Sequence, residues 1–78
     1  IFTAEIQEIV NRTLETLPEQ TRRIFAMSRY ENKSHKEIAD LLNMTTKGVE
    51  YHINKATKVL RIALKDYLPT TLLLFFLN

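Results

Sequence analysis

Seventy-eight residues without a cysteine exclude a disulfide framework and a thiolate metal site, so this chain is held together by packing or by a partner. With 45% apolar and 26% charged residues it lies outside the disordered class, and its length suits one small domain that buries only about 60% of its unfolded surface. A net charge of +2 classifies little, but it is unevenly placed: residues 1–34 set five basic against five acidic side chains, residues 35–45 carry −1 and residues 46–78 carry +3.

The stretch "TAEIQEIVNRTLETL" places Ile6, Ile9, Val10, Leu14 and Leu17 at helical spacing, with Thr3 as the expected N-cap. Pro18 interrupts that pattern and opens a second helix, because a missing N–H costs nothing in a first turn. Glu19 behind it suits the positive end of the helix dipole. This second helix, "PEQTRRIFAMSRY", offers Ile24, Phe25, Met27 and Tyr30 to the core.

Ser34 and Glu37 then form an S-x-x-E capping box just before "IADLL". Ile38, Leu41 and Leu42 are expected to face inward, with Ala39 small enough for two helices to cross closely. Asn43 can take the left-handed conformation that closes a helix, Met44 fills the turn as an apolar plug, and Thr45 caps the next helix. A short helix, a three-residue turn and a second capped helix make the spacing of a helix-turn-helix.

The last helix is predicted over residues 46–67, ended by Pro69. At about 100° per residue, Val49, Ile53, Ala56, Leu60, Ala63 and Tyr67 share one side, while Lys47, Glu50, Tyr51, Asn54, Lys58, Arg61 and Lys65 share the other. Val59 and Ile62 widen the apolar arc, and the leucine-rich end of the chain is the nearest cover for them. That end, "LPTTLLLFFLN", is far shorter than the roughly 20 apolar residues of a membrane span. The expected organisation is a domain over residues 1–69 and an apolar tail, residues 70–78, packed on the domain or a partner. The fold class is all-α, a four- to five-helix bundle with a long last helix.

The basic excess on one helix is the electrostatic footprint of nucleic-acid binding. A helix entering the major groove meets base edges near its N-terminus, and the expected base-facing residues are Thr46, Lys47, Glu50, Tyr51, Asn54 and Lys55. Asn pairs with adenine, Lys with guanine, Glu accepts from the cytosine amino group, and a Tyr ring lies against a thymine methyl. Phosphate contacts are expected from Ser34, Lys36, Thr45, Lys58 and Arg61, the first and third also serving as caps. Without the capped turn ahead of it, the same stripe would be read as a solvated helix face. His35 and His52 have no third ligand at a metal-binding spacing, and His52 borders the apolar stripe as a packed or hydrogen-bonded side chain. No catalytic triad, carboxylate pair or glycine-rich phosphate loop is visible, so neither an enzyme nor a cofactor is expected.

The run "LPEQTRRIFAMSRYENKSHKEIADLLNMTTKGVEYHINKATKVLR" resembles region four of bacterial sigma factors, especially the extracytoplasmic-function group of the sigma-70 family. The likeness covers residues 14–67: Leu17 to Glu19 at the start, Ser34 to Leu42 as the first helix of the motif, Val49 to Arg61 as the recognition helix and its extension. "VEYHINKATKVLR" followed by "LKDYLP" is most similar to the expanded Bacteroidetes branch. The resemblance implies a transcription-initiation domain that binds the minus-35 promoter element through its last helix. It also implies that apolar side chains of the preceding helices hold the beta flap of RNA polymerase, with an anti-sigma factor as a further partner. By position, Glu50, Tyr51, Asn54 and Lys55 match base-contacting sites. Two residues depart from the family pattern: Gly48 stands where relatives often have threonine, and Glu50 where many are basic. Ile1 is not an initiator methionine, which suggests a domain cut from a longer protein, with the promoter-melting region two upstream. A cytoplasmic, nucleoid-associated location fits that role.

Two other assignments use the same residues. "KEIADLLNMTTKGVEYHI" also looks like the LuxR-type domain of response regulators, although Pro18 and the long "ATKVLRIALKDYL" extension favour sigma. A protein-interaction module, or self-association, would use Val59, Ile62 and the tail instead, and is compatible with DNA binding.

Overall fold

The computed structural model describes residues 4–65, which form four helices and no strand: α1 (Ala4–Glu15), α2 (Glu19–Arg29), α3 (His35–Leu42) and α4 (Thr46–Ala63). The expected Thr3 cap, Tyr67, Pro69 and the tail lie outside the described residues. The all-α class is as expected.

Each helix begins for a local reason. Pro18 precedes α2 as its N-cap, one place earlier than a first-turn proline, and supplies no side-chain cap. At α3 the capping box closes in both directions: the Glu37 N–H donates to Ser34 Oγ at 3.1 Å, and the Ser34 N–H donates to Glu37 Oε1 at 2.7 Å. At α4 the Gly48 N–H donates to Thr45 Oγ1 at 3.0 Å. Between α3 and α4, Asn43 adopts φ 56 and ψ 50, the left-handed conformation, while the Met44 N–H reaches back to the Ala39 carbonyl at 2.9 Å. Asn32, also left-handed with φ 59, turns the chain between α2 and α3.

Two apolar clusters fill the interior. The larger joins Ile6, Val10, Leu14, Leu17 and Phe25 to Ala56, Leu60 and Leu64, with Ile9 and Val59 packed against it. The smaller joins Ile24, Ile38, Ala39 and Val49, with Met27, Leu42, Met44 and Ile53 at its edge. Helix α4 runs through both, so it is the spine of the domain.

Three sequence expectations need correction. Leu41 does not face inward: it is 62% exposed, and Ala39 takes its place beside Ile38 and Leu42. On a short helix those three span a narrow arc, and Leu41 lies roughly 100° away from its centre. Tyr30 is likewise exposed, because α2 has ended there; its ring leans edge-on to Phe25, 6.4 Å between centroids. Val59 is partly buried against the larger cluster, whereas Ile62 points outward, and the tail expected to cover them lies outside the described residues. Finally, α4 stops at Ala63 and not at residue 67. The Leu64 N–H still donates to the Leu60 carbonyl at 2.9 Å, but the Lys65 N–H turns to the Ile62 carbonyl at 3.4 Å, the tightening common in a last turn.

Gly48 gains a physical reason. A Cβ there would lie 3.2 Å from Met44 Cε and 3.3 Å from Thr45 Oγ1, so glycine lets the Met44 plug fold over the capped first turn of α4. Against a helix-propensity cost of up to about 1 kcal/mol relative to alanine, a Cβ would require the Met44 methyl or the Thr45 hydroxyl to give by a few tenths of an ångström.

Candidate nucleic-acid interface

The polar face of α4 is positioned by the burial of its other face. Val49, Ala56 and Leu60 are fully buried, and the helical period then turns Thr46, Lys47, Glu50, Tyr51, Asn54, Lys58 and Arg61 outward. All seven are exposed, and Lys55 is half-buried beside them. Lys55 Nζ sits 5.9 Å from the centre of the Tyr51 ring, which pairs a cation with an aromatic face in the middle of the strip. Tyr51, Asn54, Lys55 and Lys58 line a shallow groove of about 330 Å³. Six residues expected on one interface are therefore together on one helix, free of the core.

His52 ties α4 to α2 within the same stretch. Its Nδ1 lies 2.8 Å from the hydroxyl of Thr21, itself fully buried on α2, so the side chain is hydrogen-bonded into the joint between α2 and α4. That is the packed role expected for this histidine. With Val49 and Ala56 buried on either side, that Thr–His bond helps to hold the polar strip outward.

The expected phosphate contacts fall into two groups. Ser34 and Thr45 use their hydroxyl oxygens to accept cap hydrogen bonds; the Thr45 hydroxyl hydrogen is left to donate to an anion at the helix start, whereas the Ser34 side chain also bonds the Glu37 carboxyl. Lys36 pairs with Asp40 at 3.6 Å across one exposed turn of α3, a pair weak enough to be exchanged for a phosphate. Arg61 stands apart from the helix start, near the far end of α4, and shares a groove of about 280 Å³ with Ser28 and Arg29 of α2 and with Asn54 and Thr57. Burial draws the Arg29 guanidinium below its usual value, Tyr30 opposing, though an arginine stays charged throughout.

Sequence reasoning missed three neighbours of the strip. Ser28 and Arg29 come to the edge of the strip only because α2 packs on α4, and nothing in the periodicity of α2 signals it. His35 Nδ1 lies 3.7 Å from Glu50 Oε2, linking the first residue of α3 to the reading face of α4. Glu37, by contrast, is committed to its own helix: the bond from the Ser34 backbone, then that from its side chain, holds its carboxyl below the ordinary glutamate value.

No group of histidines and carboxylates suited to a metal ion occurs among the described residues, and no described helix is long and apolar enough to cross a membrane. No curated protein and no solved structure matches the chain. Residues 7–60, more than two thirds of the chain, match the family described as Sigma-70, region 4. With a capped helix, a left-handed turn at Asn43 and a long exposed second helix inside that match, the chain belongs to the sigma-70 region 4 family.

Proposed function

We propose that this domain recognises the minus-35 promoter element with the exposed face of α4 and holds the RNA polymerase beta flap, as part of an extracytoplasmic-function sigma factor of the Bacteroidetes type. The family is a DNA-binding regulatory one and not a known enzyme family. The observation that carries the proposal is the strip of Thr46, Lys47, Glu50, Tyr51, Asn54 and Lys55, held outward by a core on its opposite side. Residues near the start of such a helix meet base edges, while Ser34, Lys36, Thr45, Lys58 and Arg61 flank them toward the phosphates. Sigma function is favoured over the LuxR-type alternative by the family match.

The flap would sit on the other side of the motif. Leu42 lines a groove of about 400 Å³ with Glu19, Gln20 and Arg23, and its neighbour Leu41 is exposed. An exposed leucine beside a mixed groove on α2 and α3 suits an apolar peptide contact. An anti-sigma factor would mask either surface, and the location would be the nucleoid. Ile62 and the 70–78 tail are a further candidate contact for a partner or a second copy.

Salt titration tests the DNA reading. Affinity for promoter duplex should fall steeply as salt rises, because each phosphate contact releases counterions. Lys55→Ala with Lys58→Ala should weaken binding at least about tenfold and flatten the salt slope by roughly one, for the Lys58 phosphate contact, with unchanged thermal stability. A flat salt response, or undiminished binding by the double variant, overturns it.

A further inference from the structure

The face read as DNA-contacting carries one misfit. Glu50 is the sole carboxylate on α4, it is half-exposed, and a negative charge there faces the phosphates that the surrounding lysines attract. The structure supplies a counterpart from another helix. His35, at the start of α3, brings Nδ1 to 3.7 Å from Glu50 Oε2, and its position is set by the Ser34–Glu37 capping box next to it. The other ionic groups around this pair are already engaged. Lys33 pairs with Glu31 at 3.6 Å, Lys36 with Asp40 at 3.6 Å, and Glu37 caps Ser34. On α4, Lys55 leans over Tyr51 and His52 bonds Thr21, which leaves Lys47 as the neighbouring free-standing cation. Among the described residues, the His35 imidazole is the one ionic partner of Glu50.

We propose that His35 is a positioning residue for base readout: on DNA binding its imidazole takes up a proton, pairs with Glu50 and holds that carboxylate toward the base edges. The proposal rests on the promoter-recognition reading. Phosphates drawn close to α3 and α4 favour the charged imidazole, and an imidazolium attracts one carboxylate oxygen in a charge-assisted contact. The second oxygen is then placed to accept from a cytosine amino group, while the net charge facing the duplex is neutral. With a neutral imidazole the carboxylate is unpaired and repels the backbone. Because the bound state holds one more proton than the free state, affinity must rise as pH falls through the range where histidine titrates.

The test uses the full chain and a randomised duplex library. The duplexes it selects are then titrated at constant ionic strength between about pH 5.5 and 8.5, spanning the histidine range. Wild type should gain up to about tenfold in affinity per unit fall in pH, the limit for uptake of a single proton. His35→Gln should bind with a flat profile at the weak, high-pH level. His35→Lys, which stays charged throughout, should bind with a flat profile at the tight level. Glu50→Gln should also flatten the profile and change the base selected at one position. A flat wild-type profile on a selected duplex, or a sloping one in His35→Gln, overturns the proposal while leaving DNA recognition standing. Enrichment of no duplex by wild type overturns both.

Discussion

The two halves of α4 are one continuous helix held to the rest of the molecule in different ways. Its C-terminal half, with the C-cap Leu64, sinks Ala56 and Leu60 into a cluster shared with α1, α2 and Leu17, eight buried residues in all. Its N-terminal half commits little to the interior: Val49 is buried with Ile24, Ile38 and Ala39, Ile53 sits at the edge, and almost everything else faces solvent. Anchoring and the proposed reading are thus separated along one helix. Substitution on the exposed strip changes chemistry without opening a cavity, and the orientation of that strip is enforced from two turns away.

The comparison can be broken most forcefully at the anchor. Leu60→Ala should destabilise the domain by about 2–5 kcal/mol, a large share of the total for so small a core, read as a fall in the urea midpoint or melting temperature. A loss below about 1 kcal/mol would mean that the C-terminal half is not what holds α4.

The joint ahead of the reading half comes next. Asn43 is left-handed, so Asn43→Ala should cost about 1–2 kcal/mol, whereas Asn43→Gly should be close to neutral. Equal melting temperatures for the two variants would argue that the turn does not depend on that conformation.

The smallest expected effect sharpens the role of α3 as a support for the strip. Ser34→Ala should cost about 1 kcal/mol through the lost cap. The Glu37 half of the box depends on pH with a definite sign. Its folded-state value is lowered, so its contribution is fully present above the ordinary glutamate value of about 4.3 and disappears as pH falls through the folded value. Glu37→Gln should therefore be slightly less stable than wild type near neutrality and indistinguishable from it in acid, by thermal melts at each pH. A constant difference at every pH would remove Glu37 from the cap.

Legibility from sequence followed the range of the interaction. The caps at Ser34 and Thr45 and the left-handed Asn43 were readable because each is a contact within about one helical turn. The inward set of α4 was readable because a long helix averages its period over many turns. Leu41 was misjudged because α3 spans only eight residues, too few for periodicity to separate Ala39 from a leucine. Tyr30 was misjudged because composition does not show where a helix ends. The site divides similarly. The exposed positions on α4 itself were readable, whereas the Arg29 and Ser28 flank and the His35–Glu50 link depend on helices brought together from distant positions.

Taken alone, the order of the amino acids determined that there would be helices, where three of them begin, and which face of the last is polar, since those outcomes follow from backbone hydrogen bonding and the helical repeat. Packing alone decided that Val59 lies against the larger cluster, that His52 is bonded to Thr21, and that Glu50 faces an imidazole. Such pairings are set by how helices cross, and a crossing is a compromise among many buried side chains at once.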